Sequence, residues 1–418
     1  MTLPPTPIAV LMGGPSAEHE VSLVSGDAIA TALAGRGHAV NRWLIGLDSR
    51  WWRLPDPGNP DPAAPAPPGT GSPATPSSTA PSPTARAAAD PAAAPAPAAP
   101  APDAPRLDRT TDPAAIGAEG PFSAAAALER LAGAAPRPVV FPAMHGPFGE
   151  DGQVQALLES VDLVYCGAGP AASAVGMDKS IFKRVCGALE LPVLPWMEVR
   201  AAEQAADPEA VRGGLVDFAA GLPDPRLIVK PARLGSSIGI SIVHRPADGD
   251  ELSSALVAAL RYDDLVLVEP YLEHPRELET SVLGNSRADT VAFGPGEIVP
   301  GREFYDYVAK YRSEDSVTHA EADLDPGLAA DIRAAAIEVF LAIGASGFAR
   351  VDTLLSAEGI PFVSEINTIP GFTPISLFPR MTATGGLDFA ATCERIVELA
   401  NERASWRPHR RLRPEDLP

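Results

Sequence analysis

Residues Phe348–Thr373 read FARVDTLLSAEGIPFVSEINTIPGFT. Two apolar, strand-like runs flank Ser356-Ala357-Glu358-Gly359, so the segment reads as a β-hairpin. Side chains alternate across a strand. That puts Arg350 and Asp352 on one face, and Glu365 and Asn367 on one face of the partner strand. A turn centred near Ala357–Glu358 sets Arg350 opposite Glu365, with Asp352 diagonal to it. Two carboxylates and an amide oxygen beside an arginine make a hard-cation set, suited to Mg²⁺ bridging phosphates. The ordinary alternative is a solvated charged face. Apolar residues dominate both strands, however, and carboxylates among them are costly without a cation.

Upstream, LIVKPARLGSSIGIS (Leu227–Ser241) places Lys230 at a strand end before a loop with Gly235, Ser236, Ser237 and Gly239. Small residues let backbone N–H groups approach phosphate oxygens, the hydroxyls add donors, and the lysine adds charge. No GKS or GKT is present, so this is not a Walker A loop. The lysine is informative because the chain holds 33 Lys+Arg but only four lysines: Lys179, Lys183, Lys230 and Lys310. Where arginine serves every generic need, a retained lysine points to a compact, flexible ammonium. Lys183 by itself is equally well read as a chance survivor.

Toward the N-terminus, short apolar runs alternate with helical patterns: a strand at Ile8–Met12, a helix from about Ala17 to Gly35, and a strand at Ala39–Leu44. A helix at Ala124–Leu131 follows, then a strand at Pro138–Ala143, the loop HGPFGEDG, a helix at Gln153–Glu159 and a short strand at Leu163–Cys166. Such alternation implies an open parallel α/β sheet with ligand loops at the strands' C-terminal ends. In GGPSAEHEVS, Ser16 reads as an N-cap, with His19 where a capping box has Glu or Gln. Glu18 and Glu20 then fall in the first helical turn, which favours acids. His145 closes its strand and reads equally as a helix-entry hydrogen bonder or a ligand contact. Past Gly167 a helix at Met177–Ala188, strands at Leu227–Lys230, Gly239–Val243 and Leu265–Glu269, and hairpin strands including Glu277–Leu283 are expected, with helices at Asp331–Ile343 and Phe389–Arg403.

From Pro55 to Pro105 the chain is mostly Pro, Ala, Ser and Thr, with 17 of its 47 prolines. It reads as a disordered or polyproline-like insertion, and loop closure of that length costs its host only about 1–2 kcal/mol. The 418 residues allow two or three domains. A net charge of −20 argues against nucleic acid or an anionic membrane as main partner. No apolar run matches a transmembrane helix, and no basic region precedes Ile8–Met12 as in a signal peptide. Cys166, Cys186 and Cys393 lack metal-type spacing, so a cytoplasmic protein is expected.

Together these segments resemble the D-alanine–D-alanine ligase family of the ATP-grasp enzymes. The matching runs are GGPSAEHEVSLVSG, HGPFGEDG, GMDKSIFK, VKPARLGSSIGIS, VEPYLEHPRELE, FYDYVAKY and RVDTLLSAEGIPFVSEINTIPGFTPISL, leaving out the insertion and the ends. The resemblance implies an N-terminal α/β domain (1–166, insertion at about 55–105), a central lid (167–268), a C-terminal ATP-grasp domain (269–405) and a tail (406–418). It further implies ATP between the last two domains, two Mg²⁺ or Mn²⁺ ions and a homodimer. Lys179, Lys230 and Lys310, with Ser236 and Ser237, would meet the nucleotide phosphates. Glu269 and Glu277 would hold the adenosine end, and Asp352, Glu365 and Asn367 the metals. Glu18 would pair with the first D-alanine's ammonium, with His145 near its carboxylate. Arg350 and the Gly371 N–H would face the developing oxyanion. Ser376 and Leu377, with Lys310, would hold the second D-alanine. Ser236, Tyr311 and Glu18 would form one hydrogen-bonded group.

The implied reaction is ATP-dependent joining of two D-alanines through an acylphosphate, for peptidoglycan precursor synthesis. Relatives using D-lactate lack a tyrosine at the position of Tyr311, which favours an amine as nucleophile; a D-serine acceptor stays open. Val308 departs from the family's usual glutamate. A nicotinamide-dependent oxidoreductase would account for the α/β half, but G-x-G-x-x-G is absent. A non-catalytic ATP-binding scaffold is the other alternative.

Overall fold

The computed structural model describes residues 5–55, 107–299 and 317–406. The Pro/Ala-rich insertion beyond Pro55, and the segment with Val308, Lys310 and Tyr311, lie outside the described residues, as does the chain after Trp406. The described residues form a mixed α/β protein with three sheets.

The first sheet contains β1 (Pro7–Gly13), β2 (Ala39–Ile45), β3 (Trp51–Arg53), β4 (Glu119–Phe122) and β5 (Val139–Pro142) in the order β4-β3-β2-β1-β5. Strands β2, β1 and β5 are parallel as expected. The fully parallel sheet is corrected by β3 and β4, which add an antiparallel edge. Residues Leu163–Cys166 are not a strand; they join β5 through an isolated Val140–Tyr165 bridge. Around the sheet pack α1 (His19–Gly35), α2 (Ala124–Ala132) and α3 (Gln153–Ser160). Alternate residues of β1 feed two cores, Ile8, Val10 and Met12 on one face, Ala9 and Leu11 on the other. This two-sided burial explains its unbroken apolar run. Gly26 lets α1 lie close on the sheet, since a Cβ there would sit 2.5 Å from Met12 Cβ.

The helix expected over Met177–Ala188 is two helices, α4 (Pro170–Met177) and α5 (Lys179–Ala188). Asp178 interrupts them in an extended conformation and caps α5 by accepting from the N–H groups of Ser180 and Ile181. The second sheet, wholly antiparallel, contains β6 (Met197–Arg200), β7 (Leu227–Pro231), β8 (Ser241–Val243) and β9 (Leu265–Pro270) in the order β6-β9-β7-β8. Helices α6 (Ala201–Ala206), α7 (Pro208–Ala220) and α8 (Gly249–Ala259) accompany it.

The third sheet is also antiparallel: β10 (Arg276–Gly284), β11 (Val291–Val299), β12 (Val317–His319), β13 (Gly347–Leu355) and β14 (Pro361–Asn367), ordered β12-β11-β10-β13-β14. Helix α9 (Pro326–Ala342) starts five residues before the expected Asp331. Asp325 caps it and Pro326 occupies its first turn. Helices α10 (Leu377–Thr384) and α11 (Phe389–Trp406) follow, α11 running three residues past the expected end at Arg403.

Two contacts fix the third sheet against the first. Cys393, Ile396, Val397, Leu399 and Ala400 of α11 share the core of Ile8, Val10 and Met12. Phe141 of β5, Phe348 of β13 and Phe372 form an aromatic cluster with ring centroids 5.9–6.1 Å apart. Phe182 and Cys186 of α5 pack with Val351 and Ile366 beneath β13 and β14.

Candidate active site

A cleft of about 1420 Å³ opens between the second and third sheets and the N-terminal end of α1. Every described residue given a site role by the family resemblance lines it: Glu18, His145, Lys179, Lys230, Ser236, Ser237, Glu269, Glu277, Arg350, Asp352, Glu365, Asn367, Gly371, Ser376 and Leu377. Lys310 and Tyr311 lie outside the described residues.

The hairpin register differs from the sequence-based expectation. Arg350 pairs with Asn367, and Asp352 with Glu365. The turn hydrogen bond runs from Ser356 N–H to Ile360 O, and a bulge follows at Asp352–Thr353. Each shifts the pairing by one residue. The two shifts together restore the parity of the strands, so the side chains keep the expected faces. Arg350 Nε and Nη2 donate to the two Asp352 oxygens at 2.6 and 2.7 Å, and Glu279 Oε1 lies 3.3 Å from Nε. Burial opposes the guanidinium charge, but Asp352 and Glu279 outweigh it and keep Arg350 firmly protonated. The Asn367 amide donates to Asp352 Oδ2 at 3.1 Å, which leaves its oxygen as the atom able to ligate a cation.

Lysines approach from the opposite wall. The break at Asp178 places Lys179 at the first position of α5, where Nζ meets Glu365 Oε2 at 3.0 Å and donates to Leu234 O at 3.0 Å. Burial disfavours this ammonium, yet Glu365 raises its pKa above the usual lysine value. Lys230 on β7 meets Glu269 on β9 at 2.7 Å, a diagonal pair on one face of the second sheet. Lys183 Nζ lies 2.9 Å from the other Glu269 oxygen and donates to Leu194 O. The two lysines overcome burial and hold the Glu269 carboxyl below its ordinary range.

The serine loop adopts left-handed backbone at Ser236 (φ 55°) and Ser237 (φ 56°), a conformation uncommon outside glycine. Such strain persists where surroundings over-determine it, and here Ser236 Oγ donates to the Glu18 carboxylate. The Ser16 cap is corrected: α1 begins at His19, Glu18 is its N-cap residue, and Ser16 Oγ accepts from the Glu18 N–H at 2.9 Å. His145 is buried and held from both sides. Its Nδ1 donates to Ile369 O at 2.8 Å, since a carbonyl can only accept, and Nε2 lies 2.8 Å from Ser25 Oγ. Burial lowers its pKa, so the neutral ring accepts from Ser25 at Nε2. Ser376 Oγ accepts from Thr373 N–H at 2.9 Å, closing the loop after Gly371.

Two cleft groups escaped the sequence reading, Glu279 and Glu150, and Lys183, marked by lysine scarcity, was given no role. Strand alternation in RELETSVLG would have put Glu279 on the face of Glu277. Glu150 accepts from the Gly146 N–H at 2.9 Å, and burial together with Glu18 raises its pKa well above the ordinary 4.5.

A parallel-cored α/β unit followed by two antiparallel sheets, with lysines and carboxylates facing across the intervening cleft, defines an ATP-grasp enzyme. The chain belongs to the D-alanine–D-alanine ligase family: the family models for the D-ala D-ala ligase N-terminus and C-terminus match residues 7–168 and 185–398. It is 44% identical over 266 residues to a D-alanine–D-alanine ligase of Solibacter usitatus, spanning 63% of this chain and 77% of that one. With a Halothermothrix orenii D-alanine–D-alanine ligase the identity is 40% over 264 residues, 63% and 74% of the two chains. The solved D-alanine–D-alanine ligase of Coxiella burnetii superposes with a TM-score of 0.67 at 27% identity, covering 96% of this chain and 95% of that one.

Proposed function

We propose that this chain joins two D-alanine molecules into D-alanyl-D-alanine with ATP, releasing ADP and phosphate, as a step of peptidoglycan precursor synthesis. The observation that carries this reading is the convergence of Lys179, Lys230, Arg350, Asp352, Glu365 and Asn367 on one cleft. The carboxylate of the first D-alanine attacks the γ-phosphoryl group, giving an acylphosphate and ADP. The second D-alanine's amine adds to the acyl carbon and loses a proton, and phosphate leaves. Negative charge gathers at the phosphoryl oxygens in the first step and at the carbonyl oxygen in the second.

Lys179 and Lys230 serve the phosphates, with the Ser236–Ser237 loop and Lys310. Glu269 and Glu277 orient the adenosine. Glu18, held by Ser236, receives the first D-alanine's ammonium, and Tyr311 extends that group. His145 fixes the Ile369 carbonyl beneath the same substrate. Arg350 and the Gly371 N–H face the oxyanion, while Ser376 and Leu377 orient the second carboxylate.

Asp352, Glu365 and Asn367 fit Mg²⁺ or Mn²⁺: two carboxylates and an amide oxygen, fewer than six ligands, as in sites completed by phosphate and water. Two such ions, held by these three residues, would supply positive charge to offset that of the phosphates. Arg350 and Lys179 neutralise these carboxylates otherwise.

The functional units are an N-terminal domain (1–166), a central lid (167–268) and a catalytic domain (269–405), with a tail at 406–418. Within the range given to the lid, α4 and α5 pack on the third sheet through Ala172, Phe182 and Cys186. A cytoplasmic homodimer completes the proposal. Among the described residues no helix is long and apolar enough to cross a membrane.

Phosphate release from ATP tests the reading, with D-alanine, D-lactate and D-serine supplied singly and in pairs and products identified by mass. D-alanine alone should support release, yield the dipeptide and stop when Mg²⁺ is chelated. Release that needs D-lactate or D-serine as partner would reassign the second substrate. Release without any D-amino acid would overturn the ligase.

Gly146 gives a second test. It has φ 75°, and a Cβ there would sit 2.5 Å from Glu18 Oε2. Gly146→Ala should displace Glu18 and lower kcat/KM for D-alanine by up to about 10²-fold, the scale of a small misplacement. The Kd for ADP should not change. An unaltered kcat/KM would separate Glu18 from the substrate.

A further inference from the structure

Three acidic residues from successive strands make a row across the third sheet: Glu279 on β10 faces Asp352 on β13, which faces Glu365 on β14. Asp352 and Glu365 belong to the proposed cation site. Glu279 has no part in the reading above, yet it is 8% exposed and lines the cleft. Its place is set by two features. Strand alternation aligns it with Glu277, and the β10–β11 pairing slips between Glu279 and Ser281 while the β10–β13 pairing stays in register. Bulges of this kind re-aim side chains beside active sites.

Arg350 therefore has two acidic partners, Asp352 in a two-point contact and Glu279 at 3.3 Å from Nε. The first is contested. The Asp352 oxygens that accept from Arg350 are the atoms a divalent cation would take. A buried guanidinium that loses its counter-charge is strongly disfavoured or moves. We propose that Glu279 is a positioning residue, the counter-charge that keeps Arg350 aimed at the reacting carbonyl as Asp352 turns to the metal. Two acids shared between an arginine and a metal let one stay with each cation. Lys179 can move from Glu365 onto phosphate, whereas Arg350 must stay for the second step. This inference rests on the roles given above to Arg350 and Asp352.

The test compares wild type, Glu279→Gln, Glu279→Asp, Arg350→Ala and the Arg350→Ala/Glu279→Gln double variant. Two quantities are read: kcat with KM for ATP, and the affinity of the enzyme–ADP complex for Mn²⁺ from the electron spin resonance signal of free Mn²⁺. Glutamine keeps the volume of Glu279 and removes its charge. Glu279→Gln should lower kcat roughly 10–100-fold, the usual effect of losing a supporting partner, with KM for ATP little changed. Mn²⁺ should bind more weakly, because Arg350 then leans wholly on Asp352. Glu279→Asp should recover much of both. In the Arg350→Ala background, Glu279→Gln should have no further effect on Mn²⁺ affinity, which a merely structural role would not predict. Wild-type kcat and Mn²⁺ affinity in Glu279→Gln, beside an inactive Arg350→Ala, would overturn this inference alone. So would an effect of Glu279→Gln undiminished in the double variant. Wild-type turnover by Arg350→Ala would instead overturn the underlying reading.

Discussion

Arg350→Ala should lower kcat by roughly 10²–10³-fold, about 2.7–4 kcal/mol of transition-state stabilisation, the range for removing one oxyanion donor. The side chain sits at the middle of β13, half-buried and held by Asp352 and Glu279, in a position that does not depend on a mobile surface rotamer. Its charge cannot be supplied by solvent once the cleft excludes water. The loss should fall on kcat more than on KM, because the oxyanion exists only after the amine adds. Arg350→Lys keeps the charge but not the planar fork held by Asp352, so it should recover part of the rate and not all. Steady-state rates at saturating ATP and D-alanine check this, alongside urea unfolding, since removing one member of a buried ionic group also destabilises the fold. A kcat close to wild type in a folded Arg350→Ala variant would remove Arg350 from the chemistry.

The hairpin carrying Arg350 shows what a sequence can and cannot convey. Its two strands and its faces follow from alternation, because period 2 is a local property. Its register does not. Pairing depends on where the turn closes and on a bulge at Asp352–Thr353, both set by packing across strands. Two one-residue shifts kept the faces while exchanging the partners, so Asp352 rather than Arg350 stands opposite Glu365. The parallel β2-β1-β5 core was equally legible, since β1 is apolar on both faces. Strands β3 and β4 were not. They are three and four residues long, and flank a chain segment whose composition gives no periodic signal. Likewise, the break at Asp178 is invisible to helical periodicity, though it places Lys179 against Glu365. Lys179 and Lys230, which line the cleft, were found by the rarity of lysine in this chain. Lys183, with the same signal, serves instead a buried contact that only the three-dimensional packing reveals.

That contact carries the largest expected effect on stability. Glu269 is 3% exposed, with Lys230 at 2.7 Å and Lys183 at 2.9 Å, so one carboxylate bridges two ammonium groups on the wall of the cleft. Glu269→Ala removes the shared partner and leaves both lysines beside each other. Lys183 is the worse placed, since burial already pulls its pKa below the usual lysine value against the attraction of Glu269. Breaking a buried pair from one side costs about 3–5 kcal/mol, and a large part of a typical domain's stability is lost with it. The urea midpoint at pH 7 should fall accordingly, with the slope unchanged. The pH dependence follows from the sign of the shift. The folded-state pKa of Glu269 lies below its ordinary 4.5, so its stabilisation is fully present above that value. It is lost as pH falls through the depressed folded value. The gap between wild type and Glu269→Ala should therefore be widest near neutrality and narrow below about pH 4.5, where the unfolded chain takes up the proton before the folded one does. Glu269→Gln keeps the volume and separates charge from cavity: most of the deficit should remain, because it is electrostatic. A gap that stays constant from pH 7 to pH 3, or a Glu269→Gln variant as stable as wild type, would mean that packing alone holds this wall together.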